Sequence, residues 1–382
     1  MKSKFTSILM FFIIVAIIVT AGLIGLIIWE EVRNYITYEI SEEVGESELF
    51  KTDESEYTDV IENIEVPKIR NRSNPLEDLQ KTEEENIPEV NYENVTVNKY
   101  FYSQLNEYSK TIYKAFETNK ENMKSGRYKI NLGSSFSNIL SKENGQDELG
   151  NYYQSAIEAY IYDNPDVFYL SPSKMYLNIE TTTRKNIKTY NIYIDCGEQN
   201  NYLTDAFSTK SEVDEAIAQI ESIRKSVISK RTGNVYKDIK MIHDYLINNV
   251  EYDMSISKDN IYNIYGALIN HECVCEGYAE AFKYLLDGLG IESTMVIGKG
   301  TNSQGNSENH AWNYVKLNET WYAVDVTWDD PVIIGGGTIS KSTKYKYFLK
   351  GSNTMNEDHF PSGKFTENGM TFTYPQLSSK DY

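Results

Sequence analysis

A run of 22 uncharged residues, Ile8 to Trp29, constrains this chain more than any other feature in it. At about 1.5 Å of rise per helical residue the run spans roughly 33 Å, enough for the hydrocarbon core of a bilayer. It has no polar face, so a helix buried inside a globular domain explains it poorly. Lys2 and Lys4 precede the run, and Glu30 and Glu31 follow it. Positive flanks stay cytoplasmic, which places residues 1–7 inside and everything after Trp29 outside. A cleaved signal peptide is the rival reading, because Val19-Thr20-Ala21 has the small residues of a cleavage site. The apolar stretch runs well past that point, and Trp29 suits an interfacial anchor. The expectation is a single-pass signal anchor over 8–29, with the C-terminal domains on the extracytoplasmic side of the cell membrane.

The charge is as unevenly placed as the apolar residues. The 382 residues carry 37 Lys and Arg against 56 Asp and Glu, a net of −19. Residues 30–95 alone hold 20 acids and 6 bases, a net of −14, with scattered Pro67, Pro75 and Pro88. Allowing for the +2 of the first 29 residues, 96–382 carry only −7. The segment 30–95 therefore reads as a solvated, self-repelling stalk or linker. Nothing basic enough to meet phosphates is present, which excludes a nucleic-acid binder. Three cysteines are too few, and odd in number, for a disulfide scaffold. The length beyond the stalk suffices for two folded units.

The first unit, 96–230, mixes helices and strands. Phe101, Leu105, Tyr108, Ile112 and Phe116 follow helical spacing, and a second helix runs from near Leu149 to Tyr162, stopped by Asp163-Asn164-Pro165. Tyr176 to Glu180 and Thr189 to Asp195 suggest a hairpin, and Val213 to Val227 an amphipathic helix. Cys196, the unit's one cysteine, reads as a small core residue.

The second unit, 231–382, carries the chemistry. A helix from Tyr236 to near Asn249 holds His243 off its apolar stripe, as a hydrogen-bonded helix histidine; His271 and His359 fall in loops. A further helix has the apolar face Tyr278, Phe282, Leu285, Leu286 and Leu289, with Gly288 and Gly290 as its stop. Cys275 sits in its first turn, where unpaired N–H groups and the positive end of the helix dipole favour a thiolate. Downstream, Glu292 to Gly298 reads as a strand. His310 to Leu317 and Thr320 to Val326 read as two more, joined by Asn318-Glu319. A two-residue loop pairs Leu317 with Thr320, which sets Trp312 opposite Asp325 and His310 opposite Thr327. His310 and Asp325 then become diagonal neighbours on one face; a three-residue loop would separate them. The simplest hairpin thus delivers a His–Asp dyad, with Cys275 as the nucleophile its free nitrogen would face. Asp329 and Asp330 read as a turn before Pro331, without the ligand spacing of a calcium site, so no metal and no cofactor are expected.

Val274-Cys275-Glu276-Gly277-Tyr278-Ala279-Glu280-Ala281-Phe282 resembles the nucleophile motif of the transglutaminase-like superfamily. His310-Ala311-Trp312-Asn313 and Val324-Asp325-Val326-Thr327-Trp328-Asp329-Asp330-Pro331 resemble its other two blocks. Ile242-His243-Asp244-Tyr245 and Tyr252-Asp253 are similar to bacterial members. The likeness covers about Tyr236 to Phe360. It implies an α+β, papain-like core with an antiparallel sheet, preceded here by the smaller α+β unit, the stalk and the transmembrane helix. It also implies acyl transfer through a thioester on Cys275, with His310 as base and then acid and Asp325 as its orienter. Cys273 departs from the family pattern and is taken as packing. Trp312 and Tyr252 are candidates for substrate contact, Tyr252 also for the oxyanion. Two function classes follow. One is an extracytoplasmic enzyme that cross-links, deamidates or cleaves protein or peptide substrates, cell-wall peptides among them. The other is a silent binding or scaffold protein of the cell envelope.

Overall fold

The computed structural model describes residues 51–52, 70–73, 97 and 99–382, apart from 185–186, 257–259, 304, 331–332, 335–339 and 367–368. The apolar run Ile8–Trp29 and most of the acidic segment lie outside these residues. Among the described residues no helix is long and apolar enough to cross a membrane. The chain divides into two compact units. One comprises residues 1–53 and 331–346; in it Lys51–Thr52 pairs antiparallel with Ile333–Ile334, and Lys341–Lys344 makes one helical turn. The other comprises residues 54–330 and 347–382 and holds all the candidate chemistry.

In this larger unit a four-stranded sheet has the order β1 (Arg70–Ser73), β3 (Tyr176–Arg184), β4 (Ile187–Asp195), β2 (Ile130–Gly133). Strand β1 runs parallel to β3 and the other pairs are antiparallel, so the expected hairpin is β3–β4. Helices α1 (Tyr100–Gln104), α2 (Glu107–Met123) and α3 (Gly145–Asp163) belong to the same half. The single stripe expected from Phe101 to Phe116 is broken at Asn106, whose side chain accepts from the Ser109 N–H and starts α2 afresh. Tyr108 consequently faces solvent while Phe101, Leu105, Ile112 and Phe116 are buried. Cys196 is half-buried just past β4 rather than in the core, because the chain is already turning there.

Helix α4 (Lys210–Ile228) opens with a capping box between Thr209 and Glu212, and α5 (Val235–Asn249) with the Asn234 side chain on the Lys237 N–H. Strand β5 (Glu251–Tyr252) pairs in parallel with β6 (Glu272–Cys273), which delivers the chain into α6 (Cys275–Leu289). Gly290 ends α6 at φ +69°, a left-handed conformation that glycine adopts without strain. Helix α6 is the centre of the unit. It packs on α4, α5, β7 (Ser293–Thr301) and β8 (Ser307–Leu317), so that even Glu276, Glu280 and Lys283 are buried. The second four-stranded sheet is wholly antiparallel, in the order β9 (Thr320–Val324), β8, β7, β10 (His359–Pro361). The fold is thus mixed helix and sheet, and the sheet that packs on α6 is antiparallel, as expected.

Candidate active site

The β8–β9 hairpin has the expected register: Leu317 pairs with Thr320, and Val324 with Asn313. Asn318 and Glu319 sit at φ +51° and +60°, both left-handed, the two-residue turn whose twist matches the flanking strands. The ladder stops at Val324, however, so Thr327 does not pair with His310 as the sequence suggested. The chain turns instead at Asp325, whose Oδ1 accepts the N–H groups of Thr327 and Trp328 at 3.0 and 3.2 Å. This turn preserves the diagonal contact, because it leaves Oδ2 facing β8. His310 Nε2 lies 2.7 Å from Asp325 Oδ2, and both residues are almost wholly buried.

Nδ1 of His310 makes no hydrogen bond among the described residues, which leaves one imidazole nitrogen open. The ring is flanked by two indoles, Trp312 at 5.8 Å and Trp328 at 5.0 Å between centroids, both near parallel. Gly300 on β7 makes that possible, since a Cβ there would lie 2.7 Å from the Trp328 ring and 3.3 Å from His310. Trp312, the expected substrate contact, is itself only 1% exposed in this state. Tyr252, the other candidate, is buried on β5 beside Cys273, and Cys273 packs against Gly277 as a free thiol.

Cys275 is the first residue of α6, where its backbone N–H has no intrahelical partner. Asn313 Nδ2 donates to the Ala279 carbonyl at 3.0 Å and so ties α6 to β8 near His310. The backbone N–H groups of Ala311, next to His310, and of Glu276 act to lower the Cys275 thiol. No hydrogen bond joins it to His310 itself among the described residues. The expectation of a favoured thiolate needs correcting. Burial at 1% exposure pushes the Cys275 thiol well up, and the charges of Glu276 and Asp325 add to it. The two N–H groups offset this only in part. The dipole argument omitted that a first-turn residue can be roofed over by a sheet.

Asp325 shows the opposite balance. Burial would raise its carboxyl, but the charge of His310 and hydrogen bonds from two imidazoles hold it well below the usual carboxylate range. The second imidazole is His359, which the sequence assigned to a loop. It lies on β10, fully buried, with Nε2 at 2.9 Å from the same Asp325 Oδ2. An apolar-polar pattern over three residues carries no signal for this, and the one hint was a histidine flanked by Asp358 and Phe360. His310, Asp325 and His359 form a group whose ligand atoms all lie within 4.8 Å and could in principle hold a metal ion. Their separations of 2.7 and 2.9 Å are those of direct hydrogen bonds, shorter than the roughly 3.3 Å edge of a tetrahedron with bonds of about 2.0 Å. The residues satisfy one another as they stand.

His243, expected as a hydrogen-bonded helix histidine, is one: Nε2 lies 3.0 Å from Asp329 Oδ2 and Nδ1 3.2 Å from Asp244. His271 is exposed, and Asp330 accepts from the Tyr278 hydroxyl at 2.8 Å.

Residues 222–326 match the family model described as the transglutaminase-like superfamily, starting earlier and ending earlier than the motifs alone suggested. Kyphoscoliosis peptidase of Mus musculus is 29% identical over 139 residues, 33% of this chain and 21% of its own length. The Homo sapiens protein of the same name is 23% identical over 195 residues, 47% of this chain and 28% of its own. The chain thus spans about a quarter of the length of these relatives. A crystal structure of a TGase aligns over 46% of this chain and 50% of its own, at 16% identity and a TM-score of 0.28. Cys275, His310 and Asp325 all fall inside the matched segment, and residues 222–326 carry a transglutaminase-like core.

Proposed function

We propose that this protein is a cysteine enzyme that transfers acyl groups from carboxamide or peptide bonds through a thioester on Cys275. The observation that carries the reading is the pairing of His310: Nε2 is held by Asp325, while Nδ1 is left open one residue from Ala311, whose N–H favours the Cys275 thiolate. His310 Nδ1 takes the thiol proton as the sulfur attacks the carbonyl carbon, and returns it to the departing ammonia or amine. Asp325 fixes the tautomer and stabilises the imidazolium. The Cys275 N–H, with no helical partner, is placed to meet the oxyanion. Water then releases an acid and an amine releases a new amide, so deamidation, proteolysis and cross-linking share one intermediate. The burial of the thiol requires the site to open for substrate.

That same burial favours a second reading, a silent member that keeps the fold for binding. Incubating the full chain with glutamine- and asparagine-bearing peptides, cell-envelope peptides included, separates the two. The enzyme reading expects ammonia or amine release and an acyl adduct on Cys275 after acid quench, both lost in Cys275→Ala. Release that survives in Cys275→Ala, or no release from any peptide, sinks it. We further infer that Ile8–Trp29 anchors the chain with its folded units outside the cell, from the length of the run and its basic N-terminal flank. Digestion of the folded units by protease added to intact cells supports this; protection until lysis refutes it.

A further inference from the structure

The second imidazole on Asp325 has no place in the reaction just described, and its surroundings define its charge. His359 Nε2 faces Asp325 Oδ2 at 2.9 Å, and His359 Nδ1 faces Asp358 Oδ1 at 2.6 Å. Each nitrogen therefore meets a carboxylate oxygen, and an ionised carboxylate only accepts. Both carboxylates also accept from other groups, as ionised carboxylates do. Asp325 already receives the Thr327 and Trp328 N–H groups and His310, and Asp358 receives the Tyr347 hydroxyl at 2.6 Å. Only an imidazolium, with two N–H donors, satisfies both ends. Burial alone would push the His359 proton off, but the hydrogen bonds and charges of Asp325 and Asp358 outweigh it and hold it above the usual histidine value. The titratable groups facing His359 from the elements packed on it are Asp325, Asp358, His310 and the Tyr347 hydroxyl. Lys299, on the adjoining strand β7, is exposed.

We propose that His359 is a positioning residue of this site: a standing cation that clamps the Asp325 carboxylate in the orientation His310 needs. Its catalytic consequence rests on the role given above to Cys275 and His310; its charge does not. The clamp acts through geometry. With Oδ1 held by two backbone N–H groups and Oδ2 by His359, the carboxylate cannot rotate away when His310 moves toward the thiol. His310 and His359 rings lie 5.5 Å apart, one on each side of that carboxylate. Asp325 is accordingly a carboxylate shared between two imidazoles, not one reserved for His310.

Two measurements test this. In steady-state kinetics, His359→Gln should lower kcat about tenfold with little change in KM, because the Asp325 carboxylate that orients His310 loses its clamp. His359→Lys, which restores the cation, should recover most of the lost kcat. Asp358→Asn should lower kcat in the same way by less, which keeps the test open should the His359 variants fail to fold. Ring-nitrogen NMR of the Cys275→Ala protein gives a reading that needs no turnover. At pH 7 His359 should show two ring N–H protons, and the His310 Nε2–H signal should shift and broaden on His359→Gln as Asp325 is freed to rotate. A single N–H on His359 at pH 7, or an unmoved His310 signal together with an unchanged kcat, overturns the proposal. Absence of turnover in the wild type with both NMR results intact would instead count against the enzyme reading alone.

Discussion

Asp325 and Asp329 sit four residues apart on one turn, and each accepts the Nε2 of a buried histidine, at 2.7 and 3.0 Å. By composition and burial the two pairs are near twins. They differ in the other ring nitrogen. His243 gives Nδ1 to Asp244, its own neighbour on α5, while Asp329 takes the Tyr347 N–H at 2.8 Å on its second oxygen. That pair is closed at both ends and staples α5 to the turn. His310 leaves Nδ1 open, next in sequence to Ala311, whose N–H favours the Cys275 thiolate. A buried His–Asp pair is therefore not by itself a catalytic sign; the unengaged nitrogen is. His359, held at both nitrogens, belongs with His243 by this criterion although it touches the same carboxylate as His310.

The comparison breaks most visibly in activity. His310→Gln should lower acyl transfer by about 10³-fold with little loss of stability, because general acid–base transfer depends on that one nitrogen. If His243→Gln lowers turnover as much in protein that is still fully folded, the distinction fails. The expected consequence of His243→Gln is instead a loss of about 3 kcal/mol of stability, measured by urea unfolding, since Asp329 is left buried without its partner. Its pH dependence follows from both partners. Burial pushes the His243 proton off, but Asp244 and Asp329 outweigh it and raise the folded value above 6.5. The His243 contribution fades as pH climbs through its raised value, and burial pushes Asp329 up to about 6, so the pair also weakens on the acid side as that carboxylate takes a proton; wild type and variant should converge at both ends.

Glu158 on α3 sharpens the contrast, as a buried carboxylate with no imidazole beside it. Burial pushes its carboxyl up to about 7, against hydrogen bonds from Thr366 and Gln154. The folded state then binds more protons than the unfolded one between about pH 4.5 and 7, and stability falls as pH rises through that window. Glu158→Gln should stabilise the protein by about 2 kcal/mol at pH 8 and by little at pH 4.5, read from thermal melts. An equal effect at both values would show that the carboxyl is not strained by burial. The smallest effect is expected at Asp358, whose side chain is 23% exposed: Asp358→Asn should cost about 1 kcal/mol in the same melts.

Much of the site was legible because it depends on local rules. Asn318-Glu319 tolerates the two left-handed residues of a tight turn, and side-chain parity along β8 and β9 then puts His310 and Asp325 on one face. Val274 and the helical stripe from Tyr278 to Leu289 place Cys275 at the first turn of α6. Cys196 was misjudged for want of a neighbour to bury it. His359 was missed because its partner lies 34 residues away in sequence and on a different element.

The division follows the range of the forces. Sequence alone determined where the hairpin turns, which faces its side chains take and where α6 begins, because backbone sterics and side-chain periodicity act within a few residues. Only the tertiary structure decided how these elements are charged. The roof over Cys275, the second imidazole on Asp325 and the closed and open nitrogens of His243 and His310 all depend on desolvation and on charges brought within a few ångströms from distant parts of the chain. A thiol at a helix start can ionise easily in one fold and resist it in another, and here the sheet packed over α6 sets which.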